Sequence, residues 1–213
     1  NFDQLKNSLI MEVVKNVKSY SVLEYDYKYC KYRLKIRHEK IDGLCECHLS
    51  PRGKLVAIFF AKSKELFFMS EAQKKEYEKT FPILAKKNSM VLSSSFTKST
   101  LEYIKSLNIE NKNDRYIILD SDFWVKGTSS AIEYAKKHKL KYELVKGLHH
   151  SDLLKKMAQS KGLIFLPSGL DTCPRIVIEA KLLGCKLHLN ENVQHKNEIW
   201  FDTEDRFDTE AYL

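Results

Sequence analysis

The 213-residue sequence lacks several features that would place it in a well-defined class. It has no run of eighteen apolar residues, which predicts that no transmembrane helix is present, and it has no basic-then-apolar start typical of a secretory signal. It also contains no Walker loop, His-Glu-x-x-His, Gly-x-Ser-x-Gly or complete Gly-x-Gly-x-x-Gly motif. P-loop, metalloprotease and serine-hydrolase functions therefore have no support. Internal repeats and low-complexity tracts are absent as well.

The cysteine count is five, and an odd number does not fit a complete set of disulfides. With no secretory signal, we expect reduced thiols in a cytoplasmic protein. Cys45, Cys47 and His48 form a C-x-C-H motif in a predicted loop, with Cys30 and His38 upstream. Zinc takes four nitrogen or sulfur ligands, but usually with C-x2-C spacing. We therefore expect reduced thiols and no bound metal, with a zinc site as the alternative.

The charge balance is basic, with a formal net charge of +8 that comes mostly from lysine. This excess favours an anionic partner such as a nucleotide diphosphate, nucleic acid or a membrane surface, although a solvated lysine-rich surface explains it equally well. The segment 27–40 mixes basic and aromatic residues, as in proteins that bind nucleic acids, but its alternation also fits an edge strand. We expect no nucleic-acid partner.

Apolar periodicity divides the chain into short predicted elements. They are helices at 3–18 and 97–107, strands at 20–25, 55–60, 66–69 and 90–92, and a helix after the capping box of Ser70 and Gln73. From residue 115, strands at 116–120, 142–145, 163–166 and 186–189 alternate with helices that start near Thr128, Ser151 and Pro174. This alternation indicates a parallel α/β sheet. The serines at 93–95 are the expected linker, which gives domains at 1–95 and 96–213.

The stretch 163–189 is a predicted strand–loop–helix–strand unit, and ligands bind such units beyond the carboxyl end of the strand. Its loop contains Pro167-Ser168, Asp171 and Thr172-Cys173-Pro174, and its helix contains Glu179-Ala180, with Gly184 at its end. This pattern resembles the Glu-x7-Glu signature of retaining GT-B glycosyltransferases of the glycogen-synthase-like family, often called family 4. Asp171 replaces the first glutamate, and Thr-Cys-Pro replaces the usual Gly-aromatic-Gly.

The resemblance implies a role for each matched residue. Glu179 is expected to accept hydrogen bonds from the ribose hydroxyls of the donor nucleotide, and Asp171 to contact hydroxyls of the transferred sugar. Asp171 also precedes a helix, where a negative charge is favoured whatever its function. The donor-binding set further includes Ser168, Gly169, Thr172 and Cys173, the last two through backbone amides at the helix N-terminus.

A lysine–glycine pair, Lys126 and Gly127, matches the family motif that follows the first strand of the donor domain. The lysine is expected to neutralise the diphosphate leaving group, which makes a metal ion or cofactor unnecessary. The family usually has an arginine five residues earlier, where this chain has Ser121, and Arg175 is the candidate replacement. His149 and His150 follow another strand, and we interpret them as surface residues.

These observations predict a GT-B-like α/β fold with two Rossmann-like lobes and parallel sheets, of which the N-terminal, acceptor-side lobe is short or incomplete. The chain is then a compact variant or a piece of a longer polypeptide. The predicted function is transfer of a sugar from a UDP- or GDP-linked donor to a glycan or other acceptor, with retention.

Two alternatives remain open. Asp120-Ser121-Asp122 resembles the metal-binding Asp-x-Asp of GT-A glycosyltransferases. The chain could also be a non-catalytic nucleotide-binding or interaction domain.

Overall fold

The structure is a computed structural model that describes residues 5–107 and 109–212. The chain divides into two compact units, Asn1–Ser93 and Ser94–Leu213. The division falls between residues 93 and 94, within the predicted serine linker, against 95 and 96 in the sequence prediction. The predicted start of the first helix at Asp3 lies outside the described residues.

The N-terminal unit contains a three-stranded parallel sheet in the order β1-β2-β3. Its strands are β1 (Ser21–Glu24), β2 (Glu65–Phe68) and β3 (Ser89–Val91), and its helices are α1 (Asn7–Asn16), α2 (Lys35–Asp42), α3 (Pro51–Lys62) and α4 (Glu71–Thr80). The predicted capping box is confirmed, because Ser70 accepts a hydrogen bond from the Gln73 amide and the Gln73 side chain accepts one from the Met69 amide.

The predicted strand at 55–60 is wrong, because these residues lie in helix α3. The Ser50 side chain accepts a hydrogen bond from the Gly53 amide, and Pro51 occupies the first turn, which together start a helix. Leu55, Val56, Phe59 and Phe60 are buried, with the i, i+4 spacing of one helix face. Periodicity alone does not distinguish a buried strand from a buried helix in so short an apolar run.

The edge strand considered for 27–40 is also wrong. Residues 27–33 form turns, and α2 follows from Lys35. Tyr27 and Tyr29 are almost fully buried and pack on Tyr77, with ring centroids 5.8 Å and 5.5 Å away. These two aromatic rings therefore belong to the core and are not exposed for stacking on bases.

The C-terminal unit contains a four-stranded parallel sheet in the order β5-β4-β6-β7. Its strands are β4 (Tyr116–Leu119), β5 (Tyr142–Val145), β6 (Gly162–Phe165) and β7 (Lys186–Leu189), and its helices are α5 (Lys98–Ser106), α6 (Thr128–Lys137), α7 (His150–Ala158), α8 (Arg175–Leu182) and α9 (Arg206–Tyr212). All four predicted strands of this unit are confirmed, and each predicted helix exists within a few residues of its expected start.

The core of the C-terminal unit forms because β4 and β6 are apolar and their helices are amphipathic. Tyr116 and Ile118 pack with Ala131 and Ala135 of α6, and Ile164 and Leu166 belong to the same buried cluster. The fold is therefore α/β with parallel sheets in both units, compatible with the predicted Rossmann-like class. No helix in the described residues combines the length and apolar character that a membrane crossing requires.

Candidate functional site

The strand order of the C-terminal sheet reverses between β4 and β6. From β4 the chain crosses to β5 on one side of the sheet and then to β6 on the other. The connections that follow β4 and β6 therefore lead in opposite directions along the sheet, which predicts a crevice at its carboxyl edge. In open α/β sheets this reversal point is where ligands bind.

Gly127, just before α6, brings the two loops at this reversal point into contact. Its φ angle is +68°, and a Cβ atom at this position would lie 1.8 Å from the carbonyl oxygen of Leu166. The amide of Ser168 also donates a hydrogen bond to the carbonyl of Val125 at 3.0 Å. Only glycine combines this backbone conformation with so close an approach, so Gly127 is required for the contact between the loops that follow β4 and β6.

The Lys126 side chain crosses the crevice to Asp171. Its Nζ lies 2.9 Å from Asp171 Oδ2, and the two side chains are 36% and 16% exposed respectively. The same ammonium group lies over the ring of Phe165, 5.7 Å from its centroid. The structure thus places the two residues predicted to act on the donor, one from each loop, in direct contact at the reversal point.

The loop that contains Asp171 is fixed by the segment after β7. The Asp171 amide donates to the Asn192 carbonyl at 2.8 Å, and the Gln194 amide donates back to the Asp171 carbonyl at 3.0 Å. The side-chain amides of Asn190 and Asn192 both donate to the Pro167 carbonyl, at 2.9 Å and 2.7 Å. Asp171 therefore sits on a rigid backbone, and sequence analysis did not identify the two asparagines that support it.

The residues between this loop and helix α8 are buried. Thr172 and Cys173 belong to this group, and Gly169 of the loop itself is buried as well. The Cys173 carbonyl accepts a hydrogen bond from the Ser94 hydroxyl at 2.9 Å. Burial raises the pKa of the Cys173 thiol to about 12, so it stays protonated at neutral pH. Cys173 therefore contributes backbone and packing here, and its thiol is not a nucleophile.

Glu179 is the most deeply buried of the predicted site residues with charged side chains. It is 3% exposed, and its Oε1 lies 2.9 Å from His150 Nε2 and 3.6 Å from Arg175 Nη2. A buried carboxylate requires such partners, because its desolvation is otherwise unfavourable. The interpretation of His150 as a surface residue is therefore incomplete: the side chain is half exposed, but its ring nitrogen contacts Glu179.

Arg175, the proposed substitute for the family arginine, has contacts with Glu179 and with the ring of Phe96, whose centroid lies 4.7 Å from the guanidinium carbon. Its side chain is half exposed. A sequence signal for the Glu179–Arg175 contact existed, because residues four apart on a helix are neighbours. No sequence signal indicated the His150 contact, which depends on how α7 and α8 pack.

The Asp120-Ser121-Asp122 motif lies at the end of β4. Asp122 is exposed and forms an ion pair with Lys146 at 2.9 Å. Among the described residues, the one group of three or more side chains positioned to share a metal ion lies in the N-terminal unit and includes neither aspartate. A nearby lysine competes with a cation for Asp122, so this geometry gives the metal-dependent alternative no specific support.

No family model matches the chain, and no curated protein matches it either. The glycosyltransferase resemblance of residues 163–189 therefore stays a prediction, supported by its motif and by the contacts described above.

Proposed function

We propose that the protein is a glycosyltransferase that binds a nucleotide sugar at the reversal point of its C-terminal sheet. The observation that supports this best is the contact between Lys126 and Asp171 across the β4–β6 crevice, with a buried Glu179 on the following helix. One cation and two carboxylates of this kind match the three parts of a nucleotide sugar: diphosphate, sugar and ribose.

The diphosphate would bind at Lys126. Sugar transfer breaks the bond between the sugar and the diphosphate, and negative charge develops on the departing phosphate oxygen. An ammonium group fixed beside that oxygen stabilises the charge and accelerates the step. The positive end of the dipole of α8, a helix that begins at Arg175 and not at Thr172 or Cys173, would favour the same anion. A cation supplied by the protein takes the place of a metal ion in this proposal.

The ribose would bind at Glu179. Oε1 of this carboxylate contacts His150 and Arg175, and in this proposal Oε2 accepts from a ribose hydroxyl. Hydrogen bonds to a charged acceptor are about twice as strong as neutral ones. His150 is then a positioning residue, because it acts on the ribose through Glu179.

The transferred sugar would contact Asp171. Ser168 and Gly169 of the same loop would belong to the donor-binding site. The proposal extends to a GT-B architecture, with retention of configuration, a UDP- or GDP-linked donor and the N-terminal unit as the acceptor side. The metal-dependent use of Asp120 and Asp122 and a non-catalytic nucleotide-binding domain are the outcomes against which it is tested.

A binding panel with UDP-, GDP-, ADP- and CMP-sugars tests the proposal directly. A ligand present at a hundred times its dissociation constant should stabilise the protein by about 2.7 kcal/mol, which a thermal-shift measurement detects. Donor hydrolysis, measured by release of free sugar, then separates an enzyme from a binding domain. If no nucleotide sugar shifts the melting temperature, the proposal is wrong.

Two matched variants separate the metal-free site from the metal-dependent alternative. Lys126→Met should abolish the shift given by the preferred donor, while Asp122→Asn should leave it unchanged, because Asp122 is exposed and pairs with Lys146. The measurement is repeated with and without manganese. Loss of donor binding in Asp122→Asn, together with a manganese requirement, would replace the GT-B proposal by the GT-A one.

A further inference from the structure

Four side chains that were expected from the sequence to bind no metal lie close together in the N-terminal unit. They are Cys30, His38, Cys45 and Cys47, and one ligand atom of each lies within 4.8 Å of the others. Cys30 lies in the turns after β1, His38 on α2, and the other two before α3. His48, which belongs to the C-x-C-H motif, is outside the group and packs on Phe81 instead.

Three of the six distances between ligand atoms in this group match those of a tetrahedral metal site, and the other three are no longer than 4.8 Å. With Zn–S bonds of about 2.3 Å and Zn–N bonds of about 2.0–2.1 Å, tetrahedral geometry requires about 3.8 Å between sulfurs and about 3.5 Å between sulfur and nitrogen. The Sγ atoms of Cys45 and Cys30 are 3.7 Å apart. His38 Nδ1 lies 3.5 Å from Cys30 Sγ and 3.3 Å from Cys47 Sγ.

A disulfide does not explain the arrangement. An S–S bond is about 2.05 Å long, whereas Cys30 and Cys45 are separated by 3.7 Å and both are free thiols. A disulfide would also not explain why the Nδ1 atom of His38 lies close to the sulfur atoms of both Cys30 and Cys47. Three sulfurs and one nitrogen around a common centre fit a soft, tetrahedral cation.

The surroundings of His38 and Cys47 support a metal centre. His38 Nε2, the ring nitrogen facing away from the sulfurs, lies 4.0 Å from Asp42 Oδ2, and Asp42 pairs with Lys31. A carboxylate behind a ligating imidazole is the usual outer-shell partner of zinc. At Gly53 of α3, a Cβ atom would lie 2.1 Å from the Cys47 carbonyl, so only glycine lets this helix approach the ligand loop.

We propose that Cys30, His38, Cys45 and Cys47 bind one Zn²⁺ ion in a structural Cys3His site that joins the turns after β1, helix α2 and the start of α3. The three thiols lose their protons on binding, and His38 binds through its neutral ring. Four protein ligands complete the coordination sphere, so the site is closed to substrate. Three of the four ligands are buried, in keeping with that role. The site is independent of the proposed donor site, so either proposal can fail without the other.

Metal analysis of the full chain, purified without chelators, tests this site. The expected result is about one zinc per chain. His38→Gln and Cys45→Ser should each lower the zinc content at least tenfold after dialysis against a weak chelator. Their matched controls, His48→Gln and Cys185→Ser, should keep it. Cys185 is a buried free cysteine of the C-terminal unit.

Cobalt provides a readout that does not depend on whether the variants fold. Wild-type protein refolded with Co²⁺ should show thiolate-to-metal charge-transfer absorption and the visible bands of tetrahedral cobalt, both lost on adding excess zinc. Asp42→Asn should weaken zinc binding about 10-fold or more, measured by competition with a chelating dye, while Glu39→Gln on the same helix should not. Absence of zinc together with absence of the cobalt bands, or a Cys30–Cys45 disulfide found by mass spectrometry, would overturn the proposal.

Discussion

The two units use the same α/β elements but arrange them differently. The N-terminal sheet follows chain order, β1-β2-β3, whereas the C-terminal sheet, β5-β4-β6-β7, reverses direction. When strands are added to a sheet in one direction only, the loops of successive crossover connections leave no crevice between them. When the strand order reverses, two neighbouring loops lead in opposite directions and a crevice forms between them. In the described residues, the chemistry expected to bind a nucleotide lies in the unit with the reversal, and the candidate metal ligands lie in the other.

The units also differ in the ionisable groups that they bury. The N-terminal unit buries Glu24 beside Lys28, with the Lys28 Nζ 3.1 Å from Glu24 Oε1. The C-terminal unit buries His195, which is fully covered and stacks on Trp200 with ring centroids 5.5 Å apart. Neither ring nitrogen of His195 has a hydrogen-bond partner among the described residues. Their effects on stability should therefore have opposite dependence on pH.

The largest effect is expected at the glycine that fixes the reversal point. Gly127→Ala should lower the free energy of unfolding of the C-terminal unit by about 4 kcal/mol, since left-handed strain and a backbone clash add together. Gly147 is the matched control, because its φ is +64° and a Cβ atom added there would have no neighbouring atom within 4 Å. Gly147→Ala should cost only about 1–2 kcal/mol. Chemical denaturation followed by tryptophan fluorescence measures both.

Equal losses in the two glycine variants would show that the contact with Leu166 is relaxed in solution. The crevice would then not be preformed, and the contrast between the two sheets would lose its functional meaning. Both tryptophans of the chain lie after residue 93, so the fluorescence change reports the C-terminal unit alone.

The next effect concerns binding at Glu179. Glu179→Gln keeps the shape of the side chain but removes its charge, which should cost about 1.5–3 kcal/mol of binding, or roughly 10- to 150-fold in affinity. The loss should be similar for the nucleoside diphosphate and for the nucleotide sugar, because the missing contact is to ribose. Isothermal titration calorimetry of both ligands measures it.

Asp171→Asn is the companion variant for Glu179→Gln. It should weaken the nucleotide sugar and spare the nucleoside diphosphate, because Asp171 is assigned to the sugar. A Glu179→Gln protein that binds the diphosphate as well as wild type would contradict the ribose assignment. The interaction-domain alternative would then be favoured.

His195 should make the C-terminal unit sensitive to acid. Burial lowers its pKa to about 3, below the ordinary value of 6.5. The unfolded chain therefore takes up a proton as the pH falls below 6.5, while the folded chain does not, and stability is lost over that range. Between pH 6.5 and 5 the loss should be on the order of 2 kcal/mol. His195→Phe should reduce the loss of stability between pH 6.5 and 5. His149→Gln, a control at an exposed histidine, should retain this loss.

Glu24 should act in the opposite direction in the N-terminal unit. Burial, only partly offset by Lys28, raises its pKa to about 7 from 4.5. The unfolded chain releases this proton first as the pH rises above 4.5, so the contribution of Glu24 to stability falls between pH 4.5 and 7. Across pH 5 to 7 the change should be on the order of 1–2 kcal/mol.

The measurement for Glu24 is the difference in stability between wild type and Glu24→Gln at each pH, followed by hydrogen exchange in β1 and β2. A difference is required because thiolate binding to a metal also depends on pH. The exposed Glu39→Gln serves as the control. A difference that does not change with pH would show that Glu24 is ionised when folded across this range.

Much of the C-terminal unit could be predicted from sequence, because its strands are continuous apolar runs separated by clear turn and capping signals. The family resemblance assigned Lys126 and Asp171 to the same donor site, but their direct contact was not predicted from the sequence. The residues that contact Glu179 and support Asp171 could not be predicted from the sequence either. His150 and Asn192 reach the site through the packing of α7 and the path of the chain after β7, which no local pattern encodes.

The N-terminal unit was less predictable, for two physical reasons. The apolar run in α3 is too short for its periodicity to distinguish a helix from a strand, and the N-cap at Ser50 favours the helix. The ligand spacing of the metal site, with seven residues between Cys30 and His38, matches no common motif. Its ligands meet because α2 and the turns around it fold back on each other.

The Lys126–Asp171 ion pair has a consequence for the order in which parts of a donor would bind. While the ion pair is closed, the Lys126 ammonium group and the Asp171 carboxylate bind each other, so neither is available to a ligand. A diphosphate that attracts the ammonium group releases the carboxylate, which then becomes available to sugar hydroxyls. Binding of the two halves of the donor would therefore be positively coupled, and thermodynamic reciprocity requires the coupling to be the same from either side. A free sugar would face the closed pair alone, whereas the same sugar linked to a diphosphate would bring the charge that opens it.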